Sequence, residues 1–143
     1  MTATRAELAD RLASYDSVVE VGIGRRPEVA AALVDAGVDV TATDVFDAPV
    51  PEGVRFVRDD VVDRAAGLGE EARSSDATHP GEPYRVDAVY ALNLPAELQA
   101  PARDVARAAD ADFLFTTLGF EEPAVPVERE SLARETLYLA RPR

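Results

Sequence analysis

The chain has 143 residues, the length of one ordinary domain, and 47% of them are hydrophobic, which is enough for a packed core. It contains no cysteine, which excludes disulfides, thiolate catalysis and cysteine-bound metal, and its one histidine argues against a histidine metal centre. Acidic residues number 27 against 15 basic residues, so the net charge is -12, and every basic residue is an arginine.

This charge balance favours a protein adapted to molar salt, because strong screening makes the mutual repulsion of surface charges small. An ordinary acidic protein that lacks lysine by chance is the alternative. The acidity argues against non-specific binding to nucleic acid. No apolar run reaches the length of a membrane span, and Met1–Tyr15 lacks the apolar centre of a signal peptide. We therefore expect a cytoplasmic protein without a membrane partner.

The first half of the chain alternates between helical and strand patterns. Apolar residues at helical spacing, such as Leu8 and Leu12, indicate helices, whereas short apolar runs that end in glycine or acid indicate buried strands. These patterns predict helices over 4–14 and 26–36, a helical turn over 61–66, and strands over 18–23, 38–43 and 54–57.

The second half continues the alternation after an interruption. Residues 67–85 are rich in Gly, Pro, Ser and acids, and they are predicted to form a surface loop inserted into the domain. Residues 119–134 are predicted to be an irregular tail segment. Between and after these segments we expect strands over 86–92 and 112–118, a helix over 95–109, and a last strand over 136–140 at a sheet edge.

The alternation predicts an α/β fold, a single Rossmann-like three-layer domain over residues 1–143. Its mainly parallel sheet is expected to have five to six strands in the order 3-2-1-4-5, with helices on both faces. Such sheets bind ligands at the carboxyl ends of the strands, where the strand order reverses. For this order, the expected pocket lies between the first and fourth strands.

The most informative segment is Glu20–Pro27, which reads EVGIGRRP. Gly22 permits a tight turn out of the strand, and Gly24 lets the backbone approach a ligand closely. The helix predicted to follow would point its unpaired amides at that ligand. Asp44 ends the next strand, where its carboxylate can accept hydrogen bonds from two ribose hydroxyls. The alternative is a plain structural turn, because glycine pairs also occur in turns without a ligand.

This segment resembles the first motif of class I S-adenosylmethionine-dependent methyltransferases, which reads acid-x-Gly-x-Gly-x-Gly. Glu20, Gly22 and Gly24 match the motif, and Arg26 stands where the third glycine usually is. The resemblance implies that the loop binds S-adenosylmethionine as a cofactor.

Acids after the second and third strands extend the same resemblance. Asp44 matches the acid that binds the ribose in that family. Asp59 or Asp60 matches the acid that commonly meets the adenine amino group, and the sequence leaves open which of the two faces the ligand.

Nearly the whole chain also resembles a set of short archaeal proteins, the uncharacterised protein family (UPF) numbered one hundred and forty-six. The segments that carry this resemblance are VEVGIGRRPEVA, TATD, RDD and a Pro-Ala-Glu-Leu turn after the fourth strand. The resemblance implies a Rossmann-like fold related to methyltransferases, and it implies no established activity.

Arg25 and Arg26 depart from the methyltransferase motif, because two cations at the start of a helix oppose the helix dipole. Their charge could be compensated by Glu28, Asp44 or Asp59. It could instead be compensated by an anionic group of a ligand, such as a phosphate or the carboxylate of S-adenosylmethionine.

Asn93 begins the segment Asn-Leu-Pro-Ala, which resembles the Asn-Pro-Pro-aromatic motif of enzymes that methylate amino groups. That resemblance implies that Asn93 holds a target nitrogen, although the aromatic residue is missing here. The alternative is that Asn93 caps the following helix, with Pro95 in its first turn.

The sequence therefore predicts a protein that binds a small nucleoside-type ligand, S-adenosylmethionine or a related adenosine compound. If it is an enzyme, the reaction is methyl transfer, to an acceptor that the sequence does not identify. A non-catalytic sensor or binding module is one alternative. An NAD(P)-type binder is another, although its Gly-x-Gly-x-x-Gly pattern fails at Pro27. Because the chain is short, a second copy in a homodimer could cover the substrate.

Overall fold

The computed structural model describes residues 3–68, 79–119 and 121–142. Within these ranges, strands and helices alternate as predicted. In chain order the elements are α1 (Ala3–Leu12), β1 (Ser17–Val21), α2 (Glu28–Asp35), β2 (Asp39–Asp44), β3 (Arg55–Arg58), α3 (Val61–Ala66), β4 (Ala88–Ala91), α4 (Ala96–Ala108), β5 (Asp112–Phe115), β6 (Glu128–Ser131) and β7 (Thr136–Ala140).

The strands form one sheet in the order β3-β2-β1-β4-β5-β7-β6. The first five strands pair in parallel. β7 pairs antiparallel with β5, and β6 pairs antiparallel with β7. The predicted Rossmann-like fold with the order 3-2-1-4-5 is therefore confirmed, and it is extended by two antiparallel strands. The strand order reverses between β1 and β4, as required for a ligand site at their carboxyl ends.

Helices cover both faces of this sheet, which gives the predicted three layers. Val18 and Val19 in β1 point to opposite faces, because side chains alternate along a strand, and both are fully buried. Val18 packs in the layer of α1 and α2, with residues such as Leu33. Val19 packs in the layer of α3 and α4, with residues such as Val105. Burial on both faces explains the continuous apolar run of β1.

The end of the sheet differs from the prediction. Residues 119–134, predicted to be irregular, contain β6, which joins β7 in a hairpin closed by a 2.8 Å hydrogen bond from Leu132 N to Glu135 O. The strand β7 was predicted at an edge, and it lies between β5 and β6 instead. β6 itself is the edge strand, and its Glu-Arg-Glu-Ser sequence has no apolar alternation by which it could be recognised.

Several element boundaries differ from the prediction by one to three residues, and two of these differences concern the site. The second helix begins at Glu28 and not at Arg26, because the chain first makes a turn in which Arg26 N donates to Ile23 O at 3.1 Å. The fifth strand ends at Phe115, and Thr116 then bonds to the loop that follows β4. Both differences occur at the carboxyl ends of strands, where the ligand site is expected.

The predicted surface loop over 67–85 is described only in part, because residues 69–78 lie outside the described residues. Gly67 and Leu68 complete the last turn of α3. Near its other end, Pro83 and Tyr84 are buried, so this part of the segment belongs to the core and not to the surface.

Candidate functional site

A cavity of about 210 Å³ opens between the carboxyl ends of β1 and β4. This is the place that the strand order predicts for a ligand. Two loops form its walls, one between β1 and α2 and the other between β4 and α4. The lining residues are Glu20, Val21, Gly22, Ile23, Gly24, Arg25, Arg26, Leu92, Asn93, Leu94, Pro95 and Leu98.

The glycine loop, residues 22–27 between β1 and α2, is shaped by the conformation and hydrogen bonds of its backbone. Gly22 and Gly24 have φ angles of 72° and 53°, in the left-handed region that favours glycine. The amides of Gly22 and Ile23 both donate to Thr43 O, at 2.9 and 3.1 Å, which ties the loop to the end of β2. A Cβ at Gly22 or Gly24 would meet no other atom within 4 Å. The glycines therefore leave space for a ligand beside the backbone.

Asp44 lies at the end of β2 and faces this loop. Its Oδ2 accepts a hydrogen bond from Gly24 N at 2.8 Å, and its Oδ1 accepts one from Phe46 N at 3.2 Å. Asp44 is partly exposed. A carboxylate has about four acceptor positions, so two remain for other donors. The structure thus orients Asp44 toward the cavity rim, although it does not form part of the cavity wall.

Glu20 is the buried acid of the site. It is 1% exposed, and its Oε1 accepts a 2.6 Å hydrogen bond from Tyr90 Oη. Burial raises the pKa of Glu20 from 4.5 to about 7, and the hydrogen bond from Tyr90 lowers it in part. Glu20 therefore holds a proton for part of the time near neutral pH, unlike a surface glutamate.

The loop after β4 places Asn93 in an unusual backbone conformation. Its φ of 53° lies in the left-handed region, which costs energy for residues other than glycine. Two hydrogen bonds hold this conformation, from Asn93 N to Thr116 Oγ1 and from Leu94 N to Thr116 O, both at 2.8 Å. The alternative that Asn93 caps the following helix is wrong, because Pro95 occupies the capping position of α4.

Arg25 and Arg26 both line the cavity and are exposed. Within the described parts of the chain, neither forms an ion pair with a carboxylate. The predicted compensation by Glu28, Asp44 or Asp59 therefore does not take the form of a direct contact.

The acids after β3 have partners within the protein. Asp59 accepts hydrogen bonds from Arg64 at 2.8 Å and from Tyr84 Oη at 2.5 Å, and it lines a different cavity. Asp60 caps α3, since its Oδ1 accepts from Val62 N at 2.9 Å. Neither lines the cavity between β1 and β4. Their assignment as adenine contacts stays a prediction.

An apolar surface beside Asp44 was not recognised in the sequence. Phe46 is 72% exposed, and Val45 is also exposed; both residues directly follow the end of β2. Adjacent exposed apolar side chains can mark a binding surface. The sequence did carry a signal, because a Val-Phe pair directly follows the acid that ends β2.

Neither a membrane-spanning helix nor a metal site is found among the described residues. No helix within the described ranges is long and apolar enough to cross a membrane. In the same ranges, no group of three or more His, Asp or Glu side chains could hold a metal ion.

The fold is shared with solved S-adenosylmethionine-dependent methyltransferases. One from Neisseria gonorrhoeae matches with a TM-score of 0.62 at 14% identity, over 99% of this chain and 69% of that one. The 1,6-didemethyltoxoflavin-N1-methyltransferase of Burkholderia thailandensis matches with a TM-score of 0.51 at 20% identity, over 95% of this chain. This chain spans only 58% of the length of that enzyme. At such identities the likeness establishes the fold alone, a methyltransferase-type Rossmann domain.

The sequence comparison identifies the family. Residues 3–141 match the model of the Uncharacterised protein family (UPF0146), and the chain belongs to this family, as its sequence predicted. A UPF0146 protein of Halobacterium salinarum is 50% identical over 131 residues, which are 91% of each chain. A UPF0146 protein of Archaeoglobus fulgidus is 36% identical over 114 residues, 78% of this chain and 77% of the relative.

Proposed function

We propose that this protein binds S-adenosylmethionine, or a related adenosine ligand, in the cavity between β1 and β4. The observation that carries the proposal is the position of Asp44. Its carboxylate is fixed at the cavity rim by the Gly24 amide, with acceptor positions left for ribose hydroxyls. The site therefore has Asp44 as an acceptor for the ribose, an open glycine loop beside it and an apolar surface next to Asp44.

The residues present fit such a ligand. The space beside Gly22 and Gly24 admits a ligand close to the backbone. Phe46 offers an exposed aromatic ring beside Asp44, suited to contact with an adenine base. Asn93 lies on the opposite wall, where its amide can donate to or accept from a ligand or a methyl acceptor.

We further propose methyl transfer as the reaction of this site. S-adenosylmethionine supplies an activated methyl group, so the protein has mainly to position the reactants and exclude water. In this chain the glycine loop and Asp44 would fix the nucleoside, and Asn93 would orient an acceptor. Glu20 is buried against Tyr90, where it shapes the floor of the cavity.

A binding experiment tests the proposal. Isothermal titration calorimetry would compare S-adenosylmethionine, S-adenosylhomocysteine, NAD and NADP, and thermal unfolding with each ligand would provide an independent measure, because a ligand of the folded state raises stability. We expect binding of the two sulfur ligands and weaker binding of the dinucleotides. The absence of binding by both sulfur ligands would contradict the proposal.

A second experiment addresses the alternative of a non-catalytic binding module. Protein that binds S-adenosylmethionine would be incubated with a cell extract and methyl-labelled cofactor. Label transferred to a component of the extract supports the enzyme, whereas binding without any transfer supports the sensor.

A further inference from the structure

Two adjacent arginines, Arg25 and Arg26, form one side of the cavity mouth. The turn that carries them is fixed by the hydrogen bond from Arg26 N to Ile23 O at 3.1 Å. Both residues are exposed, so their guanidinium groups can reach a molecule that enters the cavity.

The two arginines of the cavity mouth do not take part in the ion pairs of the molecule. Among the residues that the structure describes, many arginines pair with a carboxylate. They are Arg11, Arg55, Arg64, Arg85, Arg103, Arg129 and Arg141. In the same ranges, no carboxylate oxygen lies within 4.0 Å of the guanidinium of Arg25 or Arg26. Arg58, Arg107 and Arg134 also lack such a contact in these ranges. Arg25 and Arg26 differ from them because they are adjacent in the chain and both line the cavity.

Two acids of the site, Asp44 and Glu20, have other hydrogen-bond partners. Asp44 accepts hydrogen bonds from the amides of Gly24 and Phe46. Glu20 is buried and bonded to Tyr90, and the rise of its pKa to about 7 reduces its negative charge at neutral pH. Arg26 acts on Glu20 through its charge and lowers the pKa of that carboxyl, and Glu28 in the first turn of α2 counters the helix dipole. None of these acids forms an ion pair with Arg25 or Arg26 in the described ranges, so both guanidinium groups keep their N–H donors for a ligand.

We propose that Arg25 and Arg26 form an anion-binding subsite, and that the small molecule bound in this cavity carries a carboxylate or a phosphate group. Guanidinium groups suit both anions, because their N–H donors form paired hydrogen bonds with two oxygens. The proposal rests on the proposed function, since it takes the same cavity as the ligand site.

This subsite would also select ligands by charge. The net charge of -12 repels anions from most of the surface, whereas the two arginines attract them locally to the cavity mouth. An anionic ligand would thus be bound at one place and in one orientation, with its charged group outward and its remainder between the two loops.

Calorimetric titration at one fixed ionic strength tests the subsite. The probes are S-adenosylhomocysteine, 5′-methylthioadenosine and inorganic pyrophosphate. The first two share the thioether nucleoside, but only S-adenosylhomocysteine has a carboxylate. The variants are Arg25→Gln and Arg26→Gln, and the matched control is Arg134→Gln, which removes the same charge from an exposed arginine that does not line the cavity. Circular dichroism would verify that each variant is folded.

We expect each cavity variant to lose about tenfold in affinity for one anionic probe, and to change little for 5′-methylthioadenosine. A loss with S-adenosylhomocysteine identifies a carboxylate as the bound group, and a loss with pyrophosphate identifies a phosphate. The control should behave like the wild type with all three probes.

Two outcomes separate this inference from the proposed function. If the adenosine probes bind equally to all variants and pyrophosphate shows no dependence on the arginines, the anion subsite is wrong and the proposed function stands. If no adenosine probe binds but pyrophosphate binds through the arginines, the subsite stands and the proposed function is wrong.

Discussion

Two carboxylates of the site, those of Glu20 and Asp44, differ in their surroundings and therefore in their chemistry. Asp44 is partly exposed and accepts hydrogen bonds from two backbone amides. Glu20 is almost fully buried, and its one described hydrogen-bond donor is Tyr90. Asp44 is thus suited to hold polar groups of a ligand, and Glu20 is suited to respond to pH.

Replacement of Asp44 by alanine tests the ribose contact. Asp44→Ala should weaken binding of S-adenosylhomocysteine by roughly 1–3 kcal/mol, because hydrogen bonds to a charged acceptor are lost. Calorimetry would measure the change in affinity. Asp47→Ala is the matched control, since it removes the same charge from an exposed position in the segment that follows β2. Equal affinity in Asp44→Ala and wild type would show that the ribose does not contact this carboxylate.

Glu20 predicts a pH dependence of folding stability. Its folded pKa is raised by burial from 4.5 to about 7, so between these values the folded chain keeps a proton that the unfolded chain has lost. The contribution of Glu20 to stability is therefore largest at low pH and is lost as pH rises toward 7.

Glu20→Gln removes this titration. The free energy of unfolding of the variant, relative to wild type, should increase by about 2 kcal/mol from about pH 5 to about pH 8. Urea unfolding at several pH values would measure it. Tyr90→Phe serves as a second variant. Loss of the hydrogen bond from Tyr90 should raise the pKa of Glu20, so that the stability of this variant should depend on pH up to a higher pH than in wild type. If the stability of Glu20→Gln relative to wild type did not change with pH, the raised pKa of Glu20 would be contradicted.

At the scale of the elements, the site depends on two loops and on what holds them. Thr43 O fixes the glycine loop, and Thr116 fixes the backbone of Asn93 through its hydroxyl and carbonyl oxygens. Gln99 adds a further connection in the core, since it donates to Leu94 O at 3.3 Å and accepts from Ala124 N at 2.6 Å. Loop residues of the site are thus positioned by residues of neighbouring strands and helices.

Asn93 can be used to separate backbone strain from ligand contact. Asn93→Gly should keep or raise the free energy of unfolding, because glycine adopts a φ of 53° easily, whereas Asn93→Ala should lower it by about 1 kcal/mol. Both variants lack the side-chain amide, so both should weaken ligand binding to a similar extent. Denaturant unfolding would measure the free energy of unfolding, and calorimetry would measure the affinity for S-adenosylhomocysteine. Retained affinity in both variants would show that the amide does not contact the ligand.

Much of the site could be predicted from the sequence, and the remainder depended on tertiary contacts. The glycine loop, Asp44 and Asn93 were found because local spacing places them at the ends of strands. The partners of Asp59 could not be found in this way, because Tyr84 is 25 residues away and is brought to it only by the fold. Phe46 was overlooked because exposure cannot be read from a short apolar pair.

At the scale of the whole molecule, the parallel part of the sheet was predictable and the antiparallel part was not. β1, β4 and β5 are buried and apolar, so hydrophobic runs reveal them. β2 is buried over its middle residues, and β3 was recognised from the short apolar run over 54–57 although it is only partly buried. β6 is exposed and charged, and only its pairing with β7 makes it a strand. Because β7 is an inner strand only through its pairing with β6, its position in the sheet could not be predicted either.

The net charge of -12 predicts stabilisation by salt. The midpoint of thermal unfolding should rise between about 0.1 M and about 2 M potassium chloride, because screening reduces repulsion among the carboxylates. Calorimetry or circular dichroism would follow the transition. Replacement of the exposed acids Asp47, Glu52 and Glu97 by their amides should reduce this rise. A midpoint that does not change with salt would contradict the interpretation of the composition as salt adaptation.

The two outer strands of the sheet limit how copies of this protein can associate. β3 carries exposed arginines at both ends, so pairing of β3 with another β3 would bring like charges together. The acids of β6 are already engaged, Glu128 with Arg141 and Glu130 with Arg11. A homodimer, which stays a prediction, would have to form through a helical layer or over the cavity. Charged outer strands of this kind disfavour the edge-to-edge pairing of sheets by which copies of a protein grow into continuous fibres.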